Sequence, residues 1–543
     1  MKKYIIIALV AIVGFIGISS TNTQYFEISK NFEIFASLYK ELHTYYVDEV
    51  DPSDLIKEGI DAMLTSLDPY TNYYSEADIE TFRFETTGKY GGIGSLIRRG
   101  EEYIIITEPY EGFPADKAGL IAGDKIKAVD GKSTKNKDSE AVSKMLKGEP
   151  GSTVEVTILR PQADGTDKEL TLSIQRKEVK INNVPYYGMA SNDIGYIKLS
   201  NFTQQAGKEV KDALKELKNE NPNLKGLVLD VRGNPGGLLN ESVNIVNIFV
   251  PKGEKVVYTR GKVEEWDKDF KTLNDAYDEE IPVAVLISRS SASASEIVSG
   301  AIQDLDRGVV IGQRTFGKGL VQTTRKLSYN TQLKVTTAKY YIPSGRCIQA
   351  INYAEKDEDG AVVKIPDSLK VAFETRNGRT VFDGGGINPD LEIEPRDLAD
   401  ITISLATKYL IFDYATYYKN THKDLVGGVN FRLTDKEYED FVAWLQDKEY
   451  DYTTKTEKLL ADFKESSKDD EYFEKLKAGI SHDKEQDIVR FKDEIKMLLE
   501  NEIVKRYFYR KGSIENNFAY DNELNEAIKI LNSKEEYKAL LGF

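Results

Sequence analysis

The hydrophobic positions of this chain change period several times, and each change marks a candidate domain. Between residues 29 and 85, Phe32, Phe35, Tyr39, Leu42 and Tyr46 recur at three- and four-residue steps, the apolar stripe of an amphipathic helix. A second helix is expected from Asp51-Pro52-Ser53, with Leu55, Gly59, Ile60, Met63 and Leu67 on one face and Asp68-Pro69 as its stop. From about Phe84 to Lys177, short apolar runs between glycine turns predict strands, with one helical piece at Ser139 to Leu146. Ile181 to Asp193 reads as a linker. Strands and helices then alternate: strand Gly195 to Leu199, helix Glu209 to Lys218, strand Gly226 to Leu229, helix Leu238 to Val250, strand Val283 to Ile287. That order implies an α/β core. Thr331 to Tyr341 alternates as a further strand, and Gly384 to Asp390 closes the domain. Beyond Pro395, the last proline, residues 399–543 read as successive charged helices, with Thr434 and Glu437 spaced as a capping box and a stripe at Phe491, Ile495, Leu498, Leu499 and Ile503.

The expected fold class is multidomain α+β. A helical N-terminal cap covers 27–85, a strand-rich domain 86–178, an α/β core 179–397 and a long helical C-terminal extension 398–543. At 543 residues, three or four domains are also what a rough ~150 residues per domain gives. The net charge of −16 argues against nucleic acid as a partner, because phosphate binding needs clustered Lys and Arg. A single cysteine, Cys347, rules out an internal disulfide and a multi-Cys zinc site. Lys2 and Lys3 precede an apolar run from Tyr4 to Ile18 and then Ser19-Ser20-Thr21-Asn22, the layout of a secretory signal. Residues 1–22 are therefore expected to direct export, as a cleaved signal peptide or a retained membrane anchor.

The candidate chemistry lies between Val283 and Gln322. An apolar strand ends in small and polar residues, and from Ser293 the spacing turns helical through Ile297, Val298, Ala301, Ile302 and Leu305. A strand feeding a serine at a helix N-terminus brings a hydroxyl into the open beside backbone N–H groups. No histidine lies between His43 and His422, but Lys318 stands 25 positions on, flanked by Gly317 and Gly319. This suggests a serine hydrolase with a lysine base. A lysine at its free pKa of ~10.4 is a poor base at neutral pH, so burial must disfavour the ammonium. Upstream, strand Gly226 to Leu229 runs into Asp230-Val231-Arg232-Gly233-Asn234-Pro235-Gly236-Gly237. That turn could cradle a phosphate or offer N–H groups to an oxyanion; no GxxxxGK[ST] or GxGxxG accompanies it. Cys347 has no histidine close in sequence and reads as a packed thiol, and His43 reads as structural. His422 and His482 sit in polar surroundings that place them at the surface. No cofactor and no metal are expected.

The segment from Gly91-Gly92-Ile93-Gly94 through Ala118-Gly119-Leu120, Ala122-Gly123-Asp124-Lys125-Ile126 and Val129-Asp130-Gly131 resembles a PDZ domain. Glycine-rich N–H groups suit a carboxylate, and an adjacent strand edge suits an extended peptide. Over roughly residues 27–396 the chain resembles the carboxy-terminal processing peptidases, or tail-specific proteases. The resemblance rests on that PDZ pattern, DVRGNPGG (Asp230 to Gly237), SASASEI (Ser291 to Ile297), TFGKGLVQ (Thr315 to Gln322) and GGGINPD (Gly384 to Asp390). It implies Ser293 as nucleophile, Lys318 as general base and Gln322 as the residue orienting it. It implies an oxyanion hole from the backbone N–H of Ala294 and of Gly236, with Gly237 as the alternative. It also implies a PDZ loop at Gly91, Gly92, Ile93 and Gly94 that binds protein or peptide substrates with free apolar C-termini. The expected setting is the bacterial cell envelope, periplasmic and either soluble or anchored to the inner membrane. A homo-oligomer or an adaptor partner is left open, and the long helical extension has no role in the core family pattern. The rival reading is a PDZ scaffold or adaptor with an inactive peptidase-like core.

Overall fold

The computed structural model describes residues 25–356, 362–454, 457–459 and 486–543. The expected signal or anchor, Tyr4 to Ile18, lies outside these residues; among those described, no helix is long and apolar enough to cross a membrane. The chain forms two compact units, one ending at Ala77 and joined by Gln322–Thr336, the other comprising Asp78–Val321 and Thr337–Phe543. Helix Ile79–Thr87, counted above with the cap, thus groups with the second unit.

In the first unit, α1 (residues 25–45) and α2 (Pro52–Thr65) are the two expected helices. Asp51 caps α2, accepting from the N–H groups of Ser53 at 2.7 Å and Asp54 at 3.2 Å, with proline at the first turn where no N–H is needed. Strand Asn72–Tyr74 pairs antiparallel with Gln332–Lys334. The expected apolar stripes form, but they are not buried: Phe32 is 70% and Met63 61% exposed. Two helices and a ribbon supply no second layer to cover them.

The second unit includes the PDZ-like sheet, six antiparallel strands with β1 (Ser95–Arg99) at one edge. Strand Ile104–Pro109 pairs with one side of β1, and among the described residues no strand pairs with the other. Helix α3 (Ser139–Leu146), capped by Asp138, turns Val142 and Leu146 into the core formed by Ile104, Ile106, Ile126, Val154 and Ile158.

The α/β core follows as one six-stranded sheet, β2 (Tyr186–Met189), β3 (Ile194–Lys198), β4 (Gly226–Asp230), β5 (Val283–Ile287), β6 (Val309–Gly312) and β7 (Leu391–Glu392), ordered as in the sequence. β2 runs antiparallel to β3 and the other pairs are parallel. β2 corrects the expected linker at Ile181 to Asp193. Its four residues, with Gly188 among them, are too few to show alternation.

Every residue of β4 and β5 is buried, as in a sheet covered on both faces. Leu227, Leu229, Val283, Val285 and Ile287 pack against α4 (Ala206–Glu220), α5 (Leu239–Phe249) and α6 (Ala294–Asp304). The alternate residues Val228, Ala284, Leu286 and Ile311 face the other way and need a different cover.

The C-terminal segment provides it. α7 (Leu410–Thr421) and α8 (Lys492–Asn517) share a core of Leu405, Tyr414, Phe441, Ile495 and Leu499. α9 (Asn522–Asn532), followed by α10 (Lys534–Leu540), lays Leu524, Ala527, Ile530 and Leu531 onto Val228, Ala284, Leu286 and Ile311. The core sheet is therefore completed by residues counted above as an extension.

The same helices hold the PDZ-like sheet by polar contacts. Arg98 on β1 lies 3.7 Å over the Tyr409 ring and 3.5 Å from Asp413, Glu108 pairs with Lys505 at 3.0 Å, and Tyr509 donates to Asp116 at 2.7 Å. Tyr509 sits at φ 53°, ψ −164°, a break inside α8 that a bulky side chain enters only under strain.

Leu524→Ala is expected to lower the stability of the full chain by about 2–5 kcal/mol, because it opens a cavity under the core sheet. A urea unfolding midpoint equal to the parent's would show that α9 is not part of that core.

Candidate active site

β5 ends at Ile287, and the chain turns through Ser288–Ala292 to reach Ser293 at the N-cap of α6. Ser293 has φ 56° and ψ −112°. A non-glycine residue in that region costs of order 1–3 kcal/mol, and the surrounding contacts must hold it there. Ser291 Oγ donates to Val231 O at 2.8 Å, and Ser295 Oγ donates to Asn234 O at 2.9 Å. The neighbouring serines thus stitch this turn to the Asp230–Gly237 turn.

The strongest restraint was not anticipated from the sequence. Glu296, fully buried on the first turn of α6, accepts from Ser293 N at 2.7 Å and Lys318 N at 2.9 Å through Oε2. Its Oε1 accepts from Gly317 N at 2.7 Å and Thr315 Oγ1 at 2.5 Å. One carboxylate therefore binds the serine and the lysine backbones together. Burial pushes its pKa up to about 7 despite these four donors, which act in the opposite direction. The signal for it was present: Ser293-x-x-Glu296 is a capping-box spacing, and the glutamate half of the box forms, while the Glu296 N–H goes to Ser293 O at 2.8 Å.

Lys318 itself is half-buried. Gly317, at φ 87°, and Gly319 admit the chain at Gln349–Ala350: a Cβ on Gly317 would lie 2.4 Å from Ala350 Cβ, and one on Gly319 2.8 Å from Gln349 N. The glycine-rich Gly384–Asp390 segment fixes the same loop from the other side, as Ile387 N donates to Thr315 Oγ1 at 2.7 Å. Tyr340, also unanticipated, donates from its hydroxyl to Ser293 O at 3.2 Å.

The Asp230–Gly237 turn follows β4. Gly236, at φ 98°, approaches the serine so closely that a Cβ there would lie 2.6 Å from Ala292 O and 2.8 Å from Ser293 Cβ. The Gly236 N–H donates to Asn234 Oδ1 at 2.9 Å, while Asn234 Nδ2 donates to Leu199 O at 2.9 Å. Ala294 opens α6 directly after Ser293, and Gly237 has φ 152°. Behind the turn, Asp230 is 1% exposed and accepts from Tyr196, Arg232 and Lys198. Burial alone would push its carboxyl up, but Arg232 and Lys198 hold it well below the usual carboxylate range.

The structure thus brings Ser293, Ala294, Gly236 and the Lys318 backbone to one place. Gln322 belongs to the first unit, where its Nε2 donates to Thr336 Oγ1 at 3.1 Å. Of the PDZ residues, Gly91 and Gly92 lie in a ribbon paired with Glu178 and Lys177. Ile93 and Gly94 form the turn into β1, with Ile93 O accepting from Ala115 N and Gly94 O from Tyr110 N. Burial pushes the Cys347 thiol up, as suits a packed cysteine. His43 and His422 are exposed, and His482 lies outside the described residues. Among the described residues no cluster of His, Cys, Asp and Glu could hold a metal ion.

Sequence comparison bears on this geometry. Peptidase family S41 matches residues 193–360, a PDZ domain residues 105–160, and a probable PDZ-protease C-terminal helical domain residues 401–531. A carboxy-terminal-processing protease of Bartonella bacilliformis is 39% identical over 320 residues, 58% of this chain and 72% of its own length. A probable CtpA-like serine protease of Staphylococcus aureus is 36% identical, over 58% of this chain and 61% of its own. Among solved structures, the photosystem II D1 C-terminal processing protease is 27% identical, covering 67% of this chain and 93% of that one with a TM-score of 0.36.

The Glu296 pKa gives a signed expectation. With the folded carboxyl at about 7 and an unfolded one near ~4.3, the folded protein keeps a proton in this window that the unfolded chain has released. Stability should therefore fall by a few kcal/mol as pH rises from about 4.3 to about 7, and Glu296→Gln should remove that slope. Urea midpoints across the window check it; an unchanged slope in the variant would assign it to other groups.

Proposed function

Because the chain belongs to the carboxy-terminal-processing proteases of peptidase family S41, we propose that it is an exported serine endopeptidase using Ser293 as nucleophile and Lys318 as general base. The observation that carries this reading is the pair of bonds from Glu296, which ties the backbone of Ser293 to that of Lys318. The neutral Lys318 amine takes the Ser293 Oγ proton as the oxygen attacks the scissile carbonyl. The tetrahedral oxyanion is met by the Ala294 N–H at the head of α6 and by an N–H of the Asn234–Gly237 turn. Gly237 is the donor that leaves the Gly236–Asn234 bond intact; Gly236 serves only if that bond opens. Collapse expels the amine, which takes the proton from Lys318, and water then releases the acyl group from Ser293 by the reverse proton path. Gln322 is assigned to orient Lys318, on the family spacing alone.

Substrates are captured by their C-termini in this reading. An extended tail adds to the edge of β1 that no described strand pairs, beside α3, and its carboxylate meets the turn at Ile93 and Gly94. Gly91 and Gly92 support that turn from the ribbon below it. The expectation of an apolar tail rests on the family resemblance. The lysine-flanked run at the N-terminus supports export to the cell envelope, with or without a retained anchor.

Ser293→Ala and Lys318→Ala are each expected to lower kcat by about 10⁴-fold or more on an unstructured protein with an apolar tail. If Ser293→Ala cleaves as fast as the parent, the assignment of the dyad is wrong.

Amidating the tail carboxylate should raise KM and weaken binding of tail peptides, since the N–H turn then lacks its anion. Equal capture of acid and amide would remove the assignment of the Ile93–Gly94 turn.

A further inference from the structure

The C-terminal helical segment reaches the oxyanion turn through charge. Asp521 caps α9 by accepting from Leu524 N at 3.0 Å, and both its oxygens accept from Arg232: Nη1 to Oδ1 at 2.9 Å and Nη2 to Oδ2 at 2.6 Å. Glu523, on the first turn of α9, also accepts from Arg232 Nη1. A second contact of Glu523, with Gln313 Nε2 at 3.4 Å, lies just beyond β6. Asp521 is 9% exposed and the Glu523 side chain 16%, so these charges are largely withdrawn from water. A desolvated pair of this kind fixes geometry, because either partner left alone is strongly disfavoured.

Docking of α9 does not need these charges. Leu524, Ala527, Ile530 and Leu531 already seal it to the sheet. Asp230 already takes the guanidinium's Nε at 3.1 Å and Nη2 at 2.7 Å, and the carboxylates of Asp521 and Glu523 complete the grip from the far side, leaving a planar fork little freedom to turn. Arg232 is in turn fixed along its backbone: its N–H donates to Asp230 Oδ1 at 2.8 Å and its C=O accepts from Lys198 Nζ at 2.9 Å. Two residues later Asn234 bonds both Ala292 and Ser295, and Gly236 closes on Ser293.

We propose that Asp521 and Glu523 are positioning residues for peptide hydrolysis, fixing the Asn234–Gly237 turn against Ser293 through Arg232. The proposal rests on the reading of Ser293 as nucleophile and of that turn as an oxyanion donor. Neither carboxylate touches substrate; they act through the arginine.

The test uses the full chain with Asp521→Asn, Glu523→Gln and the double variant, beside Ser293→Ala and Leu524→Ala. Asparagine caps a helix about as well as aspartate, so Asp521→Asn removes the charge pair and spares the cap. On an unstructured protein with an apolar tail, kcat should fall about 10-fold in Asp521→Asn and about 100-fold in the double variant, the scale of a small displacement of catalytic groups. KM and the affinity for a tail peptide should stay within about 2-fold, and labelling of Ser293 by a fluorophosphonate should slow in parallel with kcat. Leu524→Ala, which only loosens α9, should keep the parent kcat well below its melting temperature. A double variant with the parent's kcat, while Ser293→Ala is inactive, overturns this proposal alone. So does a loss of kcat that Leu524→Ala reproduces at equal loss of stability. A Ser293→Ala protein that still cleaves overturns the underlying reading and this proposal with it.

Discussion

A carboxylate buried without partners is among the most costly things a protein interior can hold. At Glu296 four donors converging from two turns offset part of that cost, and burial still holds its pKa up at about 7. The consequence runs both ways. The N-terminus of α6 and the Thr315–Lys318 loop cannot separate without stripping donors from a desolvated acid, so each turn is conditional on the other. The backbone strain at Ser293 is held by the same bonds, since one of the four donors is the Ser293 N–H itself. A capping-box glutamate, which elsewhere only finishes a helix end, here closes a ring through a loop about two dozen residues away.

Much of this arrangement was legible in the chain because it depends on local pattern. The apolar runs of β4 and β5 read as strands, and the switch to helical spacing after Ala292 marked Ser293. Other features are tertiary and leave little local trace. Glu296 has the spacing of a cap, yet a glutamate on a first turn ordinarily faces water. Its burial is decided by a loop that no local pattern couples to it. The stripe of α9 identifies an amphipathic helix but not the surface it covers, because Val228, Ala284, Leu286 and Ile311 lie far earlier in the chain. The stripes of α1 and α2 make the opposite point. Periodicity predicts which face is apolar, and it does not supply a layer to bury it.

The PDZ-like sheet and the C-terminal helices meet through a rim of charge and hydroxyl groups rather than a shared apolar core. Such interfaces hold a position while costing little to rearrange, and they resemble transient contacts between domains. Arg98 gives this a specific meaning. It belongs to β1, whose other edge is unpaired among the described residues, so the strand offered to an extended peptide is also gripped by Tyr409 and Asp413. Tyr509 adds a strained contact at the PDZ side, and it does so from the helix that leads directly into α9.

The cover that α9 gives the core sheet also orders events during synthesis. Arg232 and Asp521 stand 289 residues apart, so the face holding Val228 and Leu286 stays open while most of the chain is being made. Contacts of such long range close late and at high entropic cost. A ribosome-bound or truncated chain lacking α9 would leave Val228, Ala284, Leu286 and Ile311 facing water. Until α9 is laid on it, that face is a contiguous apolar surface open to association with other unfinished chains, so the helix that finishes the sheet also withdraws its stickiest patch.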